Sequence, residues 1–217
     1  AGEHVALVGP TGSGKSTVIR LLCRLYEPQQ GRILLDGVDI RDLPITTLRK
    51  RLGVVLQDTF LFSGSVADNL MLDTQRPRAE LEQICADLGL NPLLQRLPQG
   101  LDTPLRERGG NLSSGERQLL AVARVALRDP SVLVMDEATA FMDPSTEATL
   151  QRDLERVLNR RTAIVIAHRL ATVEASDRIL VLKRGRLVEE GTHQELRRQG
   201  GLYAQLAELQ ERGLASL

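Results

Sequence analysis

The sequence predicts an α/β protein with a parallel-sheet core, helices on both faces of the sheet and a helical subdomain inserted into the core. Two observations along the 217 residues support this prediction. Short apolar runs rich in Val, Ile and Leu alternate with segments of helical periodicity, which is typical of strands buried on both faces of a parallel sheet. Between Gln57 and Pro130 no such run occurs, and the pattern there indicates helices and turns. The predicted strands are Val5 to Val8, Val54 to Leu56, Val132 to Met135, Ala163 to Ala167 and Ile179 to Leu182.

The helices are predicted where apolar residues recur at helical spacing. They are Lys15 to Tyr26, Ala79 to Leu88, Ser114 to Leu127, Ser145 to Leu158 and Gly201 to Gln210. No internal repeat, linker or low-complexity tract separates them, so we expect one domain with two lobes. Its core lobe would comprise residues 1–57 and 131–217, and its helical subdomain residues 58–130.

The composition excludes several classes of function. With 28 basic and 28 acidic side chains the formal net charge is zero, which argues against a nucleic-acid partner, because such binding depends on counterion release. No stretch approaches the roughly 18 consecutive apolar residues of a membrane span. The two cysteines, Cys23 and Cys85, lie in separate apolar patterns and indicate reduced thiols in a cytosolic setting.

Polar groups follow four of the predicted strands at the point where each strand ends. They are a glycine-rich loop after Val8, Gln57 after the second strand, Asp136 with Glu137 after the third, and His168 after the fourth. Ligands of open parallel α/β sheets lie outside the carboxyl ends of the strands. The sequence therefore predicts a binding site at this edge of the sheet.

The glycine-rich loop has the sequence GPTGSGKST and matches the P-loop pattern between a strand and a helix. Gly12 and Gly14 let backbone amides surround phosphate oxygens at a helix N-terminus. Lys15, one of three lysines in the chain, would reach the β- and γ-phosphates, and the Ser16 hydroxyl would bind Mg²⁺. The candidate nucleotide-binding residues are Gly9, Pro10, Thr11, Gly12, Ser13, Gly14, Lys15, Ser16 and Thr17.

Two carboxylates close the strand SVLVM. Asp136 would hold Mg²⁺, partly through water, and Glu137 would polarise a water for attack on the γ-phosphate. The alternative is a pair of acids that merely end a strand, which the neighbouring P-loop disfavours.

The string NLSSGERQ opens the helix predicted at Ser114. Ser113 and Glu116 have the spacing of a capping box, which is a sufficient structural explanation by itself. A helix N-terminus with small residues is also an anion-binding surface. A similar box, Thr192 to Glu195, includes His193, which we expect at the surface.

Taken in order, these motifs resemble the ATP-binding domain of an ABC transporter over essentially the whole chain. The resemblance implies a P-loop NTPase (RecA-like) core and a head-to-tail dimer, of two identical or two different domains, that buries two ATP molecules. Each ATP would lie between the P-loop of one domain and the signature of the other. The signature residues that would contact the partner's ATP are Leu112, Ser113, Ser114, Gly115 and Glu116.

Further roles are implied by the same resemblance. Gln57 would sense Mg²⁺ and the attacking water and link the site to a transmembrane part, and Asp143 would contact the partner domain. His168 would contact the γ-phosphate and orient the water, with Glu137 as general base. The implied cofactors are ATP and Mg²⁺, and the implied metal ligands are Ser16, Gln57 and Asp136.

Two strings resemble the exporter branch of the family, FLFSGSVADNL at 60–70 and TPLRERGGNLSSGE at 103–116. They imply ATP hydrolysis that drives export of an unidentified substrate. The membrane part would be fused N-terminal to the chain, which places the domain at the cytoplasmic face of the membrane. The alternatives are a soluble ABC-type ATPase, which would need a coiled-coil insertion or a basic face, and a non-catalytic module that uses ATP only to assemble.

The chain departs from the family pattern at several positions. Ser114 replaces a glycine and Glu116 a glutamine, which predicts a weakened signature because a negative charge lies near the phosphate. Phe141 and Met142 replace smaller residues ahead of Asp143. No aromatic residue precedes the P-loop, so we expect a missing N-terminal segment and weaker adenine recognition.

Overall fold

The computed structural model describes residues 1–56, 59–72, 74, 76–136, 161–167 and 169–213. In this part of the chain the predicted α/β class is confirmed. The helix predicted at 145–158 lies outside the described residues.

The main sheet has six strands in the order β10–β9–β1–β8–β7–β4. Strand β1 is central, since it pairs in parallel with both β8 and β9, and β7 pairs in parallel with β8. All five predicted strands are present, each displaced by no more than two residues at an end. The strands of the main sheet are β1 (His4–Val8), β4 (Leu52–Val55), β7 (Val132–Asp136), β8 (Thr162–Ile166), β9 (Arg178–Lys183) and β10 (Arg186–Gly191).

Strand β10 was not predicted, and it runs antiparallel to β9. The two strands are joined through Arg184 and Gly185, which have φ angles of 52° and 75°. Two consecutive residues with positive φ are typical of the two-residue turns that match the twist of a hairpin. The sequence missed β10 because its side chains are mostly exposed and form no continuous apolar run. Two short antiparallel pairs were also missed, β2 (Leu34–Leu35) with β3 (Val38–Asp39) and β5 (Gly64–Ser65) with β6 (Pro104–Leu105).

The described part of the chain holds nine α-helices, and the predicted helices within it are all found. The first ends at Leu22, four residues earlier than predicted, because Arg24 adopts a φ of 52° and donates hydrogen bonds to the carbonyls of Ile40 and Leu43. The helices are α1 (Lys15–Leu22), α2 (Ile45–Arg51), α3 (Val66–Met71), α4 (Arg78–Asp87), α5 (Asn91–Arg96), α6 (Ser114–Arg128), α7 (Leu170–Glu174), α8 (His193–Gln199) and α9 (Leu202–Glu211). Short 3-10 turns lie at Gly100–Asp102 and Glu107–Gly109.

The chain divides into two compact units. Among the described residues, the core unit holds 1–52, 131–136 and 161–213, and the helical unit holds 53–130. The core unit is built on the apolar residues of β1, β8 and β9. The helical unit is built on α6, which buries Leu120, Ala123 and Leu127.

A cavity of about 250 Å³ lies in the core unit at the opposite end of the sheet from the P-loop. It is lined by Leu35, Ile40 and Leu48 and by Val132 and Thr162, with which β7 and β8 begin. This cavity is therefore separate from the candidate nucleotide site. No helix in the described ranges is long and apolar enough to cross a membrane.

The predicted capping box at Thr192 is confirmed, but the expectation that His193 lies at the surface was wrong. The His193 ring is hydrogen-bonded through Nδ1 to the hydroxyl of the fully buried Tyr203, at 2.7 Å. Its Nε2 lies 3.5 Å from a carboxylate oxygen of Glu174. The imidazole therefore joins α7, α8 and α9. Burial, with the nearby Glu174 charge, raises the pKa of Tyr203 to about 12.

Candidate active site

The P-loop connects the end of the central strand β1 to the start of α1. Gly14 precedes α1 in a left-handed conformation with φ 107°, and its carbonyl accepts hydrogen bonds from the amides of Thr17 and Val18. No side chain caps α1, and its first turn contains no acidic residue. Because the first amides of a helix have no partner within the helix, this end presents unused donors and a favourable dipole to an anion.

Close backbone approach explains the glycine at 9, and a φ of 107° explains the glycine at 14. A Cβ added at Gly9 would lie 2.2 Å from the Leu182 carbonyl oxygen and 2.9 Å from Ser13 Oγ. A Cβ added at Gly14 would lie 3.5 Å from the Cα of Gly185, and the Gly185 amide donates to the Ser13 carbonyl at 2.8 Å. The turn between β9 and β10 therefore braces the P-loop from one side.

Two polar side chains of the loop are buried. Lys15 is only 8% exposed, and its ammonium donates to the Gly9 carbonyl. Burial lowers the pKa of Lys15, and the negative charge of Asp136 partly opposes this. Ser13 Oγ is buried and has no hydrogen-bond partner in the described structure. A buried ammonium and an unsatisfied hydroxyl beside an uncapped helix fit a phosphate group.

The candidate metal ligands Ser16 and Asp136 lie on different elements of the core unit. Asp136 ends β7 and pairs in register with Ile166 of β8, which in turn pairs with Leu7 of β1. Asp136 therefore lies two strands from β1, about 10 Å at ordinary strand spacing. The Ser16 side chain is exposed in the first turn of α1. A hydroxyl and a carboxylate are the oxygen ligands that Mg²⁺ prefers, so the donor set fits this ion.

The predicted capping box at the start of α6 is confirmed. The Ser113 amide donates to Glu116 Oε2 at 2.7 Å, and Ser113 Oγ accepts from the Glu116 amide at 3.2 Å. Ser114 is the first residue of α6 and is not among the residues with positive φ, so this position does not require glycine. Leu112 and Gly115 are buried, while Ser113 and Ser114 are exposed.

Two arginines that the sequence did not single out contact this helix start. Arg96, the last residue of α5, forms an ion pair with Glu116 Oε1. Arg117 donates to the Leu112 carbonyl at 2.7 Å. Since twenty residues separate Arg96 from Glu116, no local spacing in the sequence indicates their pair.

A second feature that the sequence analysis missed is a set of hydrogen bonds that hold residues 60–70, the string that resembles exporters. The buried Asn69 accepts from the Phe62 amide at 2.8 Å and donates to the Phe62 carbonyl at 2.9 Å. Arg124 of α6 donates to the carbonyls of Asn69 and Phe60, and burial lowers its pKa. Phe60 and Phe62 stack edge to face at 5.0 Å and are each about half exposed. The sequence signal for this feature was the presence of two polar residues, Asn69 and Arg124, within apolar helical patterns.

Four candidate residues lie outside the described part of the chain. They are Gln57, Glu137, Asp143 and His168, together with the departures Phe141 and Met142.

The core unit holds the glycine-rich loop before α1, and the helical unit holds the capped start of α6. A family model described as ABC transporter matches residues 1–140 of the chain. The chain belongs to the ABC transporter family. The predicted family is therefore confirmed, and with it the P-loop fold of the ABC ATP-binding domain.

Members of the ABC transporter family that resemble this chain include curated exporters. The "Probable multidrug resistance ABC transporter ATP-binding/permease protein YheH" of Bacillus subtilis is 48% identical over 211 residues, which are 97% of this chain and 31% of the relative. The "ATM1-type heavy metal exporter" of Novosphingobium aromaticivorans is 46% identical over 95% of this chain and 34% of its own.

A solved ABC exporter has the same fold. That exporter, described as "Structure of a bacterial Atm1-family ABC exporter with ATP bound", superimposes on this chain with a TM-score of 0.89 and is 45% identical to it. The alignment covers 99% of this chain and 37% of that one. This ABC domain thus spans about a third of the length of the proteins it matches.

Proposed function

We propose that this chain is the ATP-hydrolysing motor domain of an ABC exporter. It binds ATP and Mg²⁺, pairs head to tail with a second ABC ATP-binding domain, identical or different, and uses hydrolysis to drive export. The observation that carries the proposal is the buried Lys15 within the braced P-loop, beside an uncapped helix start. Binding of a phosphate would stabilise this arrangement, because it supplies the anion that the ammonium and the helix amides lack.

The phosphates of ATP would take the place that the Gly9 carbonyl now holds on the Lys15 ammonium. The residues from Gly9 to Thr17 would supply amides and hydroxyls, with the unsatisfied Ser13 Oγ among them. Ser16 and Asp136 would hold Mg²⁺, with Gln57 as a further ligand. Bound Mg²⁺ would neutralise charge that develops on the transferred phosphoryl group.

Hydrolysis to ADP and phosphate requires an activated water. Glu137, directly after Asp136 in the chain, would accept the proton of that water as general base. His168 would contact the γ-phosphate and Gln57 would sense the water. Residues 1–57 and 131–217 would form the lobe that holds the nucleotide, and 58–130 the helical subdomain that carries the signature.

The signature, Leu112 to Glu116, would complete the ATP site of the paired domain, with Asp143 as a contact across the dimer. The membrane part would precede this domain in the chain. The chain covers 31% of the fused ATP-binding/permease relative, so most of that relative lies outside the match. The domain would then lie at the cytoplasmic face of the membrane. One relative is named for multidrug resistance and the other for heavy metal export, so no cargo is carried over. A soluble ABC-type ATPase or an assembly module is the less favoured alternative.

Lys15→Met in the full-length protein tests the proposal. Loss of the only buried cation of the described P-loop should lower ATP turnover by about 100-fold, because a single charged donor to a reacting oxyanion contributes about that much. The measurement is phosphate release by the purified protein in lipid. Lys50→Met is the matched control, because Lys50 is exposed on α2, and it should retain wild-type turnover. Wild-type turnover in Lys15→Met would contradict the proposal, and a wild type that binds ATP without releasing phosphate would favour the assembly module.

A further inference from the structure

A carboxylate lies at the start of α6, where the proposed function requires an anion to be accepted. Glu116 is the last residue of the signature, which runs from Leu112 to Glu116, and its side chain is 13% exposed. We propose that Arg96 is a positioning residue for the signature. It neutralises Glu116 and holds its carboxylate against the N-terminus of α6, so that a glutamate is tolerated beside the partner's phosphate. The inference rests on the proposed function, in which Ser113 and Gly115 face the ATP of the paired domain.

Both oxygens of the Glu116 carboxylate are occupied. Oε2 accepts from the Ser113 amide at 2.7 Å, and Oε1 forms the ion pair with Arg96. The carboxylate is therefore turned back onto its own helix. With Arg96 removed, Oε1 would keep its negative charge without a compensating cation beside it.

The fold places Arg96 for this contact. Helix α5 is anchored by Leu93, which is buried, and Arg96 ends the helix with a side chain that is 67% exposed. Since most of its side-chain surface remains in water, Arg96 adds a compensating charge with little desolvation of its own. The arginine directly after Glu116, Arg117, is directed to the carbonyl of Leu112.

The pairing also leaves the Ser113 hydroxyl able to serve a second partner. Ser113 Oγ accepts from the Glu116 amide, and its own proton remains a donor. A phosphate oxygen that accepted this proton would lie close to Glu116. Neutralisation by Arg96 would then reduce repulsion between the carboxylate and that oxygen.

The test is a double-mutant cycle on ATP turnover in the full-length protein, with Arg96→Gln, Glu116→Gln and the double variant. Arg96→Gln should lower turnover about fivefold, the scale of the repulsion between two unit charges that lie close together in water. Glu116→Gln serves as the reference for the cycle, since its amide oxygen can still accept from Ser113 and no charge remains for Arg96 to neutralise. The double variant should match Glu116→Gln, and Arg96→Lys should restore turnover because it keeps the charge.

The controls separate the inference from the proposed function. Arg197→Gln removes an arginine that pairs with Glu211 at 2.9 Å in the C-terminal helices, and it should leave turnover unchanged. Undiminished turnover in Arg96→Gln would overturn the inference alone. An equal loss in the single and double Arg96 variants would also overturn it, because Arg96 would then act through packing. A wild type without ATP turnover would overturn the proposed function and the inference together.

Discussion

Helices α1 and α6 both begin with small residues at a proposed phosphate site, yet their N-termini are completed in opposite ways. Helix α1 follows Gly14 in a left-handed conformation, with no side-chain cap and no acidic residue in its first turn. Helix α6 follows Ser113, whose side chain forms a capping box with Glu116, and Arg96 pairs with that glutamate. One helix start is left open, and the other is closed by its own side chains.

The difference indicates two ways in which a helix N-terminus can bind an anion. The open end of α1 carries unused amides and a buried ammonium, so it is incomplete and strained until a phosphate binds. The closed end of α6 is stable by itself and offers only a hydroxyl proton. We therefore expect changes at α1 to alter stability and binding together, whereas at α6 the two effects should separate.

The largest expected effect is that of Gly9→Ala. The new Cβ would lie 2.2 Å from the Leu182 carbonyl oxygen at a φ of 149°, so overpacking and backbone strain both act. Adding these two contributions gives a loss of about 4 kcal/mol in the free energy of unfolding. Urea denaturation of the chain measures it. Gly37→Ala is the control, because its φ is also positive, at 81°, but its Cβ would meet nothing within 4 Å.

Gly37→Ala should cost only the left-handed strain, about 1 kcal/mol. Equal losses in the two variants would show that the close contact with Leu182 carries no special cost, and the view of α1 as a braced, strained site would fail.

A smaller effect is expected when the capped end is broken. Ser113→Ala removes the cap of α6 and should lower the free energy of unfolding by about 1 kcal/mol. Ser65→Ala is a matched control, since Ser65 forms the same box with Asp68 at the start of α3, with an amide-to-hydroxyl distance of 3.0 Å. Both variants should lose similar stability.

Turnover should separate the two serines. Ser113→Ala also loses a proton donor to the partner's phosphate, so ATP turnover of the full-length protein should fall about tenfold, the value of one hydrogen bond to a charged group. Ser65→Ala should keep wild-type turnover. If both lost turnover in proportion to stability, Ser113 would be a cap and nothing more.

Sequence patterns predicted those elements of the two helix starts whose residues lie close together in the chain. The P-loop, the strand before it, the helix after it and the capping box at Ser113 all lie within a few residues of one another. The contacts that complete each site join distant segments, such as Gly9 with Leu182 and Arg96 with Glu116. These depend on how strands and helices pack, and one sequence carries no periodic signal for them. Strand β10 was missed for another reason, because its exposed side chains lack an apolar run.

The smallest expected effect concerns the charge of Lys15. Burial lowers the pKa of Lys15 from its ordinary value of 10.5, so folding disfavours its protonated form. Below the lowered pKa both states hold the proton, and the folded state carries the full cost. As the pH rises from the lowered pKa towards 10.5, the unfolded chain holds more protons than the folded one, and stability rises with pH.

Lys15→Met removes this ionisation while keeping an unbranched side chain of similar length. The ligand-free variant should therefore be slightly more stable than the wild type where both states of the wild type hold the proton, and the advantage should shrink as the pH rises towards 10.5. Denaturation midpoints of both proteins at several pH values measure the difference, in which the titration of all other groups cancels. A stability difference that stayed constant with pH would mean that the buried charge costs nothing. The open end of α1 would then be as stable without phosphate as the capped end of α6.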